Sequence, residues 1–251
     1  MALPPGVEEK AGKVALAFTH RDKVDALFLT SVVSVVRRFG WPTIQAYSGP
    51  GVDAVRNRVI QSFLDKHPDK DWLLLCDADV FFGPPQAIRL LQAADPVTCP
   101  MVGGLVFMDR TPLAPSIFYY NGEGILESAD AYERDALVSC DGTGTGFVLI
   151  HKTVFESVGD KFGDGQRPWY AHGLRINGIV HSADLAFSHR VRECGIPIHV
   201  DTGCRVGHIK QRLLTENDYL QELAIRPPPL PEGSHTLETS PLNLGARQGD
   251  G

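Results

Sequence analysis

The sequence predicts an α/β protein with a mostly parallel, doubly wound sheet and helices on both faces, in a single domain. Three observations carry that prediction. Short apolar runs alternate with stretches of helical periodicity between Lys13 and Val102. One run, Trp72 to Cys76, is apolar throughout, as a strand covered on both faces should be. The helical stretches end on stop signals, Gly40 followed by Pro42 in one case, or open on Pro84-Pro85 in another.

Lys13 to Phe18 reads as the first strand. Val24 to Arg38 repeats Ala26, Leu27, Thr30, Val33 and Val36 at helical spacing. Thr43 to Tyr47 alternates as a strand, and Gly51 to Lys66 is a second amphipathic helix that stops before Pro68. After the Trp72–Cys76 strand comes a loop, 77–83, then a helix from Pro84 through Leu91 and a strand over Val97 to Val102. The second half is less regular. Short strands are expected at 116–120 and 136–139, and a buried one at 147–150. Ser182 caps a helix that runs to Cys194, and Ile196 to Val200 is the last strand.

These readings divide the chain into a flexible lead (1–12), a folded domain (13–225) and a flexible Pro/Gly-rich tail (226–251) too poor in apolar residues to pack. The formal net charge of -6 creates no field that would gather nucleic acid non-specifically, and a phosphate-bearing ligand would need a cation or placed arginines. The N-terminus lacks the apolar core of a signal peptide, and no stretch has the ~20 apolar residues of a membrane span. The five cysteines are scattered, without a CxxC pair, as reduced thiols of a cytoplasmic protein would be.

Asp77 and Asp79 follow the all-apolar strand directly. Side chains alternate along a strand, so both carboxylates are expected to converge beyond the carboxyl edge of the sheet, where α/β folds bind ligands. Together they would repel unless a divalent cation lay between them, and hard oxygen ligands suit Mg²⁺ or Mn²⁺. Arg56 falls inside the apolar stripe of its helix, with Val52, Val55, Val59, Ile60 and Phe63. A buried arginine requires an anion, either an internal carboxylate or a ligand's phosphate. Asn57 borders the stripe and could bond a nucleotide. Gly142-Thr143-Gly144-Thr145-Gly146 lacks the GxGxxG spacing and runs into a strand, so it is no dinucleotide fingerprint. Its glycines instead allow a close backbone approach to a ligand or a bend with positive φ. Asp184 is a helix-dipole complement or a general base. His208 is a surface histidine or a third metal ligand.

In order along the chain, VRN (Val55 to Asn57), LLLCDAD, GTGF (Gly144 to Phe147), SADLAF and VGHI resemble the GT-A glycosyltransferases, in particular small family-2-like enzymes of bacteria and phages. The resemblance runs from about Val14 to Lys210. It implies a Rossmann-like GT-A fold and a soluble enzyme that moves a sugar from a nucleotide-diphosphate sugar to an acceptor hydroxyl, on a glycan or a modified phage DNA base. It implies a Mn²⁺ or Mg²⁺ ion held by Asp79, Asp77 and His208. The donor would be bound by Thr19, Arg21, Arg56, Asn57, Asp77 and Gly144, and Asp184 would be the catalytic base. Relatives commonly carry Glu-Asp where this chain has Ala183-Asp184. Two other functions compete: a nucleotidyltransferase, for which the Thr19–Lys23 segment lacks the expected glycines, and a nucleotide-sugar-binding module without catalysis.

Overall fold

A computed structural model describes residues 3–49, 51–163 and 168–210. The expected tail at 226–251 and the end of the domain at 211–225 lie outside the described residues.

In chain order the main elements are α1 (Val7–Gly12), β1 (Val14–His20), α2 (Ala26–Phe39), β2 (Thr43–Tyr47), α3 (Val52–Lys66), β3 (Trp72–Asp77), α4 (Pro84–Ala93), β4 (Met101–Leu105), β5 (Leu137–Cys140), β6 (Phe147–His151), α5 (Lys152–Phe162), α6 (Ala183–Glu193) and β7 (Ile198–Arg205). Seven strands form one sheet in the order β5-β7-β4-β6-β3-β1-β2. The β1–β2, β1–β3 and β7–β4 pairings are parallel, whereas β5–β7, β6–β3 and β6–β4 are antiparallel. The sheet is therefore mixed, where the sequence suggests a mostly parallel one. The difference is β6, which enters between β3 and β4 from the glycine-rich segment and runs against both, and the edge strand β5, which runs against β7.

Alternation along the central strands separates two cores. Val14, Leu16 and Phe18 of β1, with Trp72, Leu74 and Cys76 of β3, face α1, α2 and α4. Ala15 and Ala17, with Leu73 and Leu75, face α3, α5 and α6. Helices thus cover both faces, and the two central strands are buried except at their carboxyl ends. Leu74→Ala would cost about 2–5 kcal/mol, as large-to-small changes in a close-packed core do.

Local chemistry fixes most boundaries. The Asp25 side chain accepts from the Leu27 N–H at 2.8 Å to start α2, and Gly40 ends it at φ 71. Ser182 caps α6, and Gly195 beyond it has φ 74. Three expectations shift. Residues 7–12 are not a flexible lead: Val7 and Ala11, one helical turn apart, are buried, and the Lys10 ammonium donates to the carbonyls of Leu91 (3.2 Å) and Ala94 (2.5 Å) at the end of α4. The fourth strand starts at Met101 and not Val97, because the Asp95 carboxylate captures the N–H groups of Val97 and Thr98 in a turn. The loop after β3 contains a short strand, Val80–Phe81, that pairs with Gly207–His208.

Candidate active site at the carboxyl edge of the sheet

The register places Thr19 beside Asp77 where β1 and β3 end. The carboxylates of β3 diverge there instead of converging. Asp77 turns toward α3, and its Oδ1 accepts from Arg56 Nη2 at 2.5 Å. Arg56 Nη1 donates to Asp184 Oδ1, at the start of α6. The second oxygen of Asp184 accepts from the Thr145 N–H at 3.3 Å. The guanidinium also lies over the Tyr170 ring, 5.2 Å from its centre. Burial opposes the charge on Arg56, but the carboxylates of Asp184 and Asp77 outweigh it and raise its pKa. Burial pushes the Asp77 carboxyl up; Arg56 pulls against it, and Asp184 adds to the rise. Of the two anions that sequence left open for Arg56, the structure supplies the internal carboxylates.

Asp79 belongs to a second cluster. Its Oδ2 faces His208 Nε2 at 3.2 Å and accepts from Lys210 Nζ at 2.6 Å. Its carbonyl accepts from the Ile209 N–H at 2.7 Å, which staples the loop to the chain beyond β7. Burial works to raise the Asp79 pKa, but bonds from His208 and Lys210 overcome it and bring the value to about 2. His208 Nδ1–H donates to the Phe107 carbonyl at 2.7 Å. A carbonyl only accepts, so Nδ1 keeps its proton and the ring titrates at Nε2, the atom that faces Asp79. The Asp79 carboxylate accordingly raises the His208 pKa above 6.5.

A divalent ion suits one of these clusters and not the other. A carboxylate facing an imidazole nitrogen whose opposite N–H is anchored is the usual way such a ligand pair is oriented. Asp79 and His208 fit an ion, because the ammonium that shares Asp79 Oδ2 is exposed and cheaply displaced. Asp77 fits one less well, because the guanidinium on its Oδ1 is buried and tied to Asp184 as well. Among the described residues no three His, Cys, Asp or Glu side chains are grouped to hold an ion, so the expected set of Asp77, Asp79 and His208 is not assembled.

Two clefts meet at Asp77, Ser182 and Asp184. One is lined further by Arg21, Ser48, Gly49, Val52, Arg56, Asp79 and His172. The other is walled by Val80, Val106, Met108, Ser116, Phe118, Gly144, Gly146, Leu185 and His208. Arg21 therefore lines the first cleft and Gly144 the second, although the resemblance groups both with the donor. Thr19 is 7% exposed and lines neither. Asn57 needs a correction. Its amide donates to the carbonyls of Asp53 (2.7 Å) and Tyr170 (2.8 Å), and its oxygen accepts from the N–H groups of Trp169 and Tyr170. With that capacity taken by protein, Asn57 positions Tyr170 beneath Arg56 and is not placed to bond a nucleotide.

The glycine-rich segment shows close approach and no positive φ at Gly142, Gly144 or Gly146. A Cβ at Gly142 would meet Ser188 Cβ at 3.2 Å, and one at Gly144 would meet Ser116 Cβ at 3.3 Å. The approach is to the protein's own side chains. Asp141 is bound to Arg192 (3.2 Å) and to the Tyr120 N–H, away from both clefts. Sequence reasoning missed Lys210 and Tyr170. Lys210 carried a signal: it stands two residues after His208, on the same side of an extended chain.

No family model matches the chain, and no curated protein does. Solved structures do. GalNAc-T7, crystallised with UDP, GalNAc and Mn²⁺, superposes with a TM-score of 0.55 at 12% identity, over 85% of this chain and 48% of that one. This chain thus spans about half of GalNAc-T7's length. A197 from STIV matches with a TM-score of 0.50 at 14% identity, over 81% of this chain and 97% of that one. A glycosyltransferase involved in glycosylation of the major capsid of PBCV-1 aligns over 84% of this chain and 98% of that one, at 15% identity and a TM-score of 0.39, which is too low to carry weight. With the mixed seven-stranded sheet and the helices on its two faces, the superpositions on GalNAc-T7 and A197 give the chain a GT-A-like fold.

Proposed function

We propose that this chain is a metal-dependent glycosyltransferase that moves a sugar from a nucleotide-diphosphate sugar to an acceptor hydroxyl. The observation that carries the reading is the Asp79–His208 pair, oriented by the Phe107 carbonyl beside the junction of two clefts. Asp79 and His208 are the residues that would hold Mn²⁺ or Mg²⁺, which neutralises charge on a departing diphosphate. The UDP, GalNAc and Mn²⁺ present with GalNAc-T7, a protein of similar fold, support this reading. The cleft with Arg21, Ser48 and Gly49 receives the nucleotide, because it holds the outward-facing arginine.

Asp184 lines both clefts and is the base in this scheme. It takes the proton from the acceptor hydroxyl while that oxygen forms its bond to the anomeric carbon and the bond to the diphosphate breaks. Arg56 and the Thr145 N–H hold the carboxylate in place for that step. Arg56 is thus a positioning residue, and Asp77 shares its charge. The buried thiols suit a reducing, cytoplasmic setting.

A thermal-shift screen of nucleotide sugars, with and without Mn²⁺, tests the proposal. One nucleotide sugar should raise the melting temperature only when Mn²⁺ is present, and acceptor should then release nucleotide diphosphate. Pyrophosphate release from a nucleoside triphosphate would favour a nucleotidyltransferase instead. Stabilisation without any nucleotide release would mark a binding module.

A further inference from the structure

The two clefts differ in chemistry. The nucleotide-side cleft contains Arg21 and Arg56. The other has no lysine or arginine among its described lining residues, and its charged side chains are Asp77 and Asp184, with His208 at one edge. The nearest cations are already engaged, Arg56 by Asp77 and Asp184, and Lys210 by Asp79. The walls are Val80, Val106, Met108, Phe118 and Leu185. Beside the cleft Phe81 and Phe107 remain 46% and 36% exposed. Both flank the His208 strand: Phe81 pairs with Gly207, and the Phe107 carbonyl holds the His208 ring.

One polar group in that wall has no partner. Ser116 is 3% exposed, and its Oγ makes no hydrogen bond in the protein. A buried hydroxyl left unsatisfied is costly, and a ligand atom that bonds it removes the cost. Gly144 lies against Ser116, where any Cβ would crowd the serine at 3.3 Å.

We infer that this cleft receives the acceptor, and that the acceptor is an uncharged molecule whose reactive hydroxyl is carried on a body with an apolar face. An alkyl or aryl glycoside has that chemistry; a phosphorylated sugar or a nucleic acid does not. The assignment to an acceptor rests on the glycosyl-transfer reading, while the ligand class rests on the lining. Apolar surface gains by leaving water against Val106, Met108 and Leu185. Asp77 and Asp184 already share the Arg56 charge, which leaves a polyanion no free lysine or arginine among the described lining residues, and nucleic-acid binding depends on such cations. Ser116 Oγ supplies one hydrogen bond that fixes how the polar end of the body lies.

Methionine methyl groups report on the cleft directly. The full chain has three methionines, of which Met101 is fully buried and Met108 lines the cleft wall. In the ¹³C-methyl-labelled protein, with Met108→Leu to assign the signal, hexyl and phenyl glucosides should shift the Met108 resonance and leave Met101 in place. Half-saturation should come at concentrations roughly tenfold below any effect of glucose 6-phosphate or a single-stranded oligonucleotide, since one desolvated charge outweighs several buried methylenes. Leu185→Lys, which adds a cation to the same wall, should invert the order of the Met108 responses, with the Met101 resonance reporting an intact fold. A Met108 signal that moves first with the charged ligands, or with none, would overturn the inference, as would glucosides that move Met101 equally. Mn²⁺-dependent donor binding in the same samples reports separately on glycosyl transfer. Its absence beside a normal Met108 response would remove the acceptor role and leave the ligand class standing.

Discussion

Asp77 and Asp79 leave β3 two residues apart, and their surroundings differ sharply. Asp77 is held by the buried Arg56 guanidinium, whose other partner is Asp184. Asp79 sits half-exposed, against His208 and Lys210 on a short strand pairing at the rim. A dense ionic knot with fixed partners suits the holding of a catalytic group, because its geometry cannot change cheaply. A rim carboxylate facing a titratable ring and a flexible ammonium suits the exchange of ligands. The difference teaches that a DxD spacing need not mean one shared ion.

The strongest test of the knot is kinetic. Asp184→Asn should lower transfer by roughly 10²–10⁴, the usual worth of general base catalysis, while the donor dissociation constant stays within a few-fold. Nucleotide release at saturating acceptor measures it. A variant that keeps more than about a tenth of the rate would reduce Asp184 to a helix-end charge and an Arg56 partner.

The next effect is on stability. Arg56→Met leaves Asp77 and Asp184 facing each other without their cation. Breaking a buried pair costs about 3–5 kcal/mol, and the partial exposure of both carboxylates argues for the lower end. For a chain of this size about 3 kcal/mol corresponds to roughly 6–12 °C in melting temperature. Adding Asp77→Asn should recover part of the loss. An unchanged melting temperature would show that the knot contributes nothing to the fold.

At the rim, pH should separate the two regions. The raised His208 pKa favours the folded state below 6.5, and that contribution is lost as pH rises through the folded value. Asp79, lowered to about 2, contributes above 3.8 and loses that contribution only near pH 2, so it does not titrate in the working range. An ion must displace the proton on Nε2, and Mn²⁺ affinity should therefore fall up to about tenfold per pH unit below the His208 pKa. His208→Gln should flatten that profile. A profile with the same slope in the variant would place the titrating group elsewhere. Smaller still, Lys210→Met removes the ammonium that competes for Asp79 and should tighten Mn²⁺ binding a few-fold, as calorimetry would show.

The β1–α2–β2–α3–β3 segment was legible because strand alternation and helix periodicity each extend over enough residues to be distinguished. The second half was legible only in part: α6 and the strands at 117–120, 137–140, 147–151 and 198–205 follow their sequence signals, and the short pairings do not. Its hairpins are two to four residues long and pair across gaps the pattern does not encode, as Gly142–Thr143 does with Ile117 and Phe118. Helix α5 went unassigned because it carries Gly159 inside it. In the site, the helical wheel showed that Arg56 must be buried, but a wheel gives direction and not partner, and Asp184 lies 128 residues away. Nothing in the residues around Tyr170 announces that it stacks on that guanidinium. The order of Asp79 and His208 was informative, and the structure brings them together.

The central claim is that an ion belongs to Asp79 and His208, and that Asp77 belongs to Arg56. Paramagnetic titration of Mn²⁺ into the wild-type, Asp79→Asn and Asp77→Asn proteins, in the presence of nucleotide diphosphate, tests it most directly. The account predicts that Asp79→Asn weakens Mn²⁺ binding by roughly 100-fold or more, the loss of a principal charged ligand. Asp77→Asn should change it by only a few-fold while lowering the melting temperature. Equal losses of Mn²⁺ affinity in the two variants, or a larger one in Asp77→Asn, would contradict the account.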